Sequence, residues 1–289
     1  MGTKKSILFL LCALLITPLL PALNTSYSAQ PHSGDVLAMA ALPDGSGFFS
    51  AGKDGFLVKW DDSSNGDHYQ VSEIQVKLIA VHPTKNEVAI YETDNFTIHR
   101  VSLWNWKTKT RKFSKKFSHA VVSLAFSAKG TWLMTGTSSM DGLMFLDPNS
   151  GNQKNILKQQ PGIVPLTFTN AAESTLITYA QTGRITYTDL KTGEVKASFA
   201  TTPNLTQTVL HNNNLYLSGV SNNTIYTINA TTGGVVSEKA EPQPMLVTAS
   251  SDKEVRYIAR DRRQYRFMDS TAGILGVFTI AEEMPEITA

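Results

Sequence analysis

The stretch His32–Asp61, HSGDVLAMAALPDGSGFFSAGKDGFLVKWD, sets the pattern for the whole chain. It holds three short apolar runs, Val36–Ala40, Phe48–Ala51 and Phe56–Trp60. Each is too brief for a helix and is composed of residues that suit a pleated, half-buried surface. Between them stand Pro43-Asp44-Gly45 and Lys53-Asp54-Gly55. Proline presets φ for a turn, aspartate bonds its own backbone, and glycine takes the positive φ that reverses the chain. The segment after Gly66 supplies a fourth strand, which makes a four-stranded antiparallel meander.

The same plan recurs along the chain, marked by an acid or its amide with a turn residue four places later. The turns are Asp62 to Gly66, Asn105 to Lys109, Asp147 to Gly151, Asp189 to Gly193, Asn229 to Gly233 and Asp269 to Gly273, spaced by 43, 42, 42, 40 and 40 residues. An Asx side chain accepts a backbone N–H two residues on, and glycine completes the reversal. Lys109 breaks the glycine rule, so that turn is expected to be looser or longer. Inner strands are expected near Leu78–Val81, Val122–Phe126, Val164–Phe168, Thr206–Leu210 and Met245–Ala249. Four strands in roughly 42 residues make one propeller blade. The fold class is therefore all-β: a β-propeller of six four-stranded blades over residues 30–280, closed as such or forming part of an incomplete seven-bladed ring.

The first unit resembles the WD-repeat family almost position for position, from His32-Ser-Gly-Asp through Ser50-Ala-Gly-Lys-Asp54 to Trp60-Asp61. The resemblance implies a hydrogen-bonded set of His32, Ser50, Asp54 and Trp60 that locks the blade. The third unit keeps His119 and Thr135, with Asp141 slightly out of register and Leu146 in place of tryptophan. The fourth has Thr178 and Thr182, and the fifth Ser218 and Asn222. In WD-repeat proteins the turns between second and third strands form the usual partner surface. Here that implies Lys53, Asn95, Met140, Gln181, Asn222 and Arg262, with Ser33 and Ser118 from neighbouring loops.

Residues 1–29 read as a secretory signal peptide: Lys4 and Lys5, then an apolar run from Ile7 to Leu20, then Tyr27-Ser28-Ala29. That run, interrupted by Thr17 and Pro18, falls short of the roughly 20 residues a membrane-spanning helix needs, so cleavage is favoured over an uncleaved anchor. Cleavage would leave 24 basic and 24 acidic side chains and remove the lone cysteine, Cys12. A secreted chain without cysteine is held by its core and its hydrogen bonds, which points to a bacterial periplasm or cell surface. Residues 281–289 form a C-terminal tail.

No G-x-S-x-G, H-E-x-x-H or Gly-rich phosphate loop is present, and no cofactor, metal site or catalytic residue is assigned. None of the six histidines lies at ligand spacing from another. His82, before Pro83, is expected to be a solvated turn residue. Six cations between Lys107 and Lys116 read as a solvated outer strand guarded against edge pairing, so nucleic acid is not expected as a partner. Trp104 and Trp106 straddle the repeat's tryptophan position, one expected to face the blade interior and the other to face away. These readings favour a non-catalytic module that binds protein or acts as a scaffold in the cell envelope. The competing class is a periplasmic propeller enzyme, lactonase- or quinoprotein-like, with its site at the central channel.

Overall fold

The computed structural model describes residues 32–61, 66–139, 142–211, 215–240, 244–249, 255–261, 264–269 and 273–279. The signal reading at 1–29, the turn at 62–65, Met140, Asp141, Arg262 and the tail at 281–289 lie outside the described residues. No helix among the described residues is long and apolar enough to cross a membrane.

The described residues form six four-stranded antiparallel sheets, each an up-and-down meander. The first comprises β1 (Val36–Ala41), β2 (Phe48–Gly52), β3 (Phe56–Trp60) and β4 (Gly66–Gln70). The second comprises β5 (Gln75–Val81), β6 (Glu87–Thr93), β7 (His99–Asn105) and β8 (Thr110–Phe117). The third comprises β9 (Val121–Phe126), β10 (Leu133–Thr137), β11 (Leu143–Leu146) and β12 (Gln153–Lys154). The fourth comprises β13 (Leu166–Thr169), β14 (Thr175–Ala180), β15 (Arg184–Asp189) and β16 (Val195–Ala200). The fifth comprises β17 (Thr206–His211), β18 (Tyr216–Ser221), β19 (Thr224–Asn229) and β20 (Val235–Ala240). The sixth comprises β21 (Pro244–Ala249), β22 (Val255–Asp261), β23 (Gln264–Met268) and β24 (Ile274–Thr279). Four blades lie in a compact unit spanning 31–203, and two in a second unit that includes 204–289.

In the first unit β1 packs beside β5, β5 beside β9 and β9 beside β13. Apolar side chains fill each gap. Phe49 and Leu57 of blade one meet Val88 and Ile90 of blade two, while Tyr91 and Leu103 meet Leu133 and Leu146 of blade three. In the second unit Val220 and Ile225 pack on Tyr257 and Met268. Strands β2, β6 and β10 are buried along their whole length, with β5 packed against β2, β9 against β6 and β13 against β10. The outer strand β8 alternates exposed and half-buried residues. Each fully buried Leu, Ile or Phe contributes about 1.5–3 kcal/mol, so the gaps between blades hold much of the stability.

Three local expectations are corrected. Lys109 does not loosen its turn: it adopts φ 56 itself, where Gly151, Gly193 and Gly233 adopt 72, 73 and 73. Trp104 pairs with Arg111 just as Thr188 pairs with Val195 and Ile228 with Val235, so the hairpins have equal length. The fourth inner strand starts at Leu166 instead of Val164, because Ser123 Oγ donates to the Val164 carbonyl at 2.6 Å. His82 is not solvated: it is 1% exposed and packs on Phe126 with ring centroids 4.8 Å apart. Its Nδ1 accepts the N–H groups of Thr84 and Lys85, both at 3.1 Å. A Cβ on Gly130 of blade three would fall 2.2 Å from the imidazole, so only glycine admits the ring there.

Candidate binding face

In blade one the side chains of β2, β3 and the segment before β1 join in one chain of hydrogen bonds. The Asp54 carboxylate can only accept, so His32 Nδ1 donates to it at 3.1 Å. In the neutral ring Nε2 then accepts from Ser50 Oγ at 2.8 Å, and Trp60 Nε1 donates to the same hydroxyl at 2.8 Å. Asp54 also accepts the N–H groups of Ser33 at 2.8 Å and Phe56 at 3.2 Å, which ties the entering loop to the β2–β3 turn. Burial pushes the Asp54 carboxyl up, but the hydrogen bonds from His32 and from the Phe56 and Ser33 N–H groups hold it below the usual range.

Blade two lacks most of this set. Val88 faces Trp104 as Phe48 faces Trp60, so Trp104 holds the tryptophan position. Ile90 stands where blade one has Ser50, and Trp104 Nε1 is buried without a hydrogen-bond partner. Trp106, the first residue of the turn after β7, packs on the same side. Both indoles pack on the blade-one cluster around Phe49, which corrects the expectation of one inward and one outward ring. The buried Glu92, at the place of Gly52, is bonded by Arg100 and Ser102.

Among the described residues at this end of the sheets, the β6–β7 turn stands out by its side chains. Asp94 Oδ1 accepts the N–H groups of Phe96, Thr97 and Ile98 at 2.9, 2.9 and 2.8 Å, and Oδ2 accepts the Thr97 hydroxyl at 3.1 Å. These donors, chiefly the N–H of Ile98 and then of Phe96, hold the Asp94 carboxyl far below its ordinary range. Asn95 takes φ 72, and Phe96 is left 83% exposed at the tip beside Ile98, 38% exposed.

The other residues named from sequence fall as follows. Ser33 is exposed with its N–H anchored on Asp54, and Lys53 pairs with Asp35 at 2.7 Å. Gln181 is exposed in a turn completed by Gly183 at φ 81. Asn222 and Asn223 both take positive φ, the conformation of a two-residue hairpin turn. Ser118 and His119 are exposed. His119 is therefore not the blade-three counterpart of His32: it precedes β9 by two residues, whereas His32 precedes β1 by four. Thr135 is fully buried and donates instead to the Met144 carbonyl at 3.4 Å. Thr178 Oγ1 is buried without a partner. In blade five Ser218 is met at 3.0 Å by His211 Nε2 and at 3.0 Å by Thr227 Oγ1.

Sequence reasoning missed Phe96, although a lone aromatic two residues after Asp94 in a polar turn was the available signal. The basic run proves largely engaged. Lys109 pairs with Asp67, Lys112 with Glu87, Arg111 lies over Trp104 and Lys107 over Trp106. Among the described residues no three His, Cys, Asp or Glu side chains converge.

Comparison with known proteins gives a consistent architecture. The chain is 37% identical over 192 residues to an uncharacterised protein of Treponema pallidum (strain Nichols), a match covering 66% of this chain and 31% of that one. It is 30% identical over 145 residues to pre-mRNA-processing factor 17 of Saccharomyces cerevisiae, covering 47% of this chain and 30% of that one. The chain thus spans under a third of the length of these curated relatives. The family described as an N-terminal β-propeller domain matches residues 22–289, and with six four-stranded meanders on the page the chain belongs to that β-propeller family.

Proposed function

We propose that the chain is a non-catalytic, exported propeller of the WD-repeat kind. It binds a protein partner in the cell envelope through the end of its blades that carries the second-to-third-strand turns. The observation that supports this reading is Phe96, 83% exposed on a turn already fixed by four hydrogen bonds to Asp94. Burying a phenylalanine contributes about 1.5–3 kcal/mol, and aromatic anchors commonly dominate interfaces. A pre-ordered turn also lowers the entropy lost on docking. The WD-repeat assignment is supported by the His32–Ser50–Trp60 bonds with Asp54 and by the similarity to pre-mRNA-processing factor 17. Export is supported by Lys4, Lys5 and the apolar run that follows.

A photo-crosslinking residue at position 96, with a control at Asp44 in the exposed β1–β2 turn at the other end of the sheet, tests the face. The expected result is one specific protein adduct from 96 and none from 44. Adducts from 44 alone overturn the reading. Amino-terminal sequencing of the native protein tests export, with a start near residue 30 expected.

A further inference from the structure

We propose that the seam between the first and second blades, at the end of the sheets away from Phe96, binds a small aromatic carboxylate. The site is a pocket of about 390 Å³ within one compact unit, lined by Lys59, Asp61, Gly66, Asp67, Trp106 and Lys107. Ligand pockets run from about 300 to 1,000 Å³. Its wall is the indole of Trp106. The backbone N–H of Trp106 donates to Asn86 at 3.0 Å, and its ring meets the fully buried Phe49 edge-on at 5.9 Å. The indole is therefore a fixed apolar surface.

Two ammonium groups stand over that ring, Lys59 Nζ at 5.5 Å and Lys107 Nζ at 5.9 Å from its centroid. Neither forms an ion pair among the described residues, whereas Asp67 on the same wall is already taken by Lys109 at 2.7 Å. Of the lining residues, Trp106 also carries an indole N–H that is buried and unpartnered. A buried donor of this kind calls for an explanation such as an acceptor supplied from outside the chain. Cations, a donor and a flat apolar wall together suit a ligand that brings carboxylate oxygens on a planar body. A neutral sugar needs acceptors as well as donors, and both carboxylates on the wall already have partners.

Benzoate titrated into the purified full chain at constant ionic strength, followed by calorimetry and tryptophan fluorescence, tests the proposal. Benzamide and acetate serve as controls. Saturable benzoate binding is expected, with each control at least about tenfold weaker, a loss of about 1.4 kcal/mol. Lys59→Gln and Lys107→Gln should each weaken benzoate about tenfold while leaving thermal unfolding unchanged. Equal binding of benzamide, undiminished binding by both lysine variants, or no saturation overturns the proposal. None of these outcomes bears on the Phe96 face, whose adducts are read separately.

Discussion

Ser50→Ala isolates the energetics of the blade-one network. The hydroxyl is fully buried, accepts the Trp60 indole N–H at 2.8 Å and meets His32 Nε2 at 2.8 Å. Alanine leaves almost no cavity but strands two buried ring nitrogens. A buried polar group without its partner costs about 1–3 kcal/mol, so the pair should cost about 2–6 kcal/mol. For a domain of this size that lowers the melting temperature by roughly 4–24 °C. Thr135→Val is the matched control, because it occupies the same strand position in blade three. It loses only a 3.4 Å bond to Met144, so less than about 1 kcal/mol is expected. A chain with two compact units need not unfold in one step, so a local readout is required as well. Hydrogen exchange of the Trp60 indole proton, followed by NMR, provides it. It should accelerate strongly in Ser50→Ala and stay unchanged in Thr135→Val. Equal melting shifts in the two variants, or an unchanged Trp60 indole proton, would refute the idea that this network holds the blade.

His82→Leu should show an acid-dependent effect. Burial pushes the imidazole down, against an opposing pull from Glu87, so the folded chain resists a proton that the unfolded chain binds below about pH 6.5. Stability therefore falls as pH drops below that value. Leucine, which blade one carries at the same place as Leu42, removes the penalty while forfeiting the bonds from Thr84 and Lys85. The variant should melt lower than the parent at pH 8 and close part of the gap at pH 5; a pH-independent difference would count against it. Lys109→Gly should change little alone. It relieves about 1 kcal/mol of left-handed backbone strain but loses an exposed ion pair with Asp67 worth at most about 1 kcal/mol. In an Asp67→Asn background the same substitution should stabilise by about 1 kcal/mol, measured by chemical denaturation. Destabilisation in that background would mean the lysine is held by contacts other than the ion pair.

What sequence made legible follows from repetition. Asp147, Asp189 and Asn229 each close a turn on a glycine, and their spacing located the sheets because every blade must reverse its chain the same way. Blade one was legible down to individual hydrogen bonds because all four partners are present in His32, Ser50, Asp54 and Trp60. The same reasoning misplaced His119, which has the right identity but stands two residues too close to its strand. It also misread His82, since burial there depends on Gly130, 48 residues away in the next blade. A rule shared by all blades is blind to the blade that departs from it. Blade two departs most: isoleucine replaces serine at position 90, so Trp104 loses its acceptor; the tip of its β6–β7 turn carries Phe96; and Trp106 faces Lys59 across the seam. Repeated positions keep the sheets alike, so a ligand that must choose one place on a repetitive scaffold needs residues that are not repeated. The Phe96 turn and the Trp106 pocket, at opposite ends of the same blade, both meet that requirement.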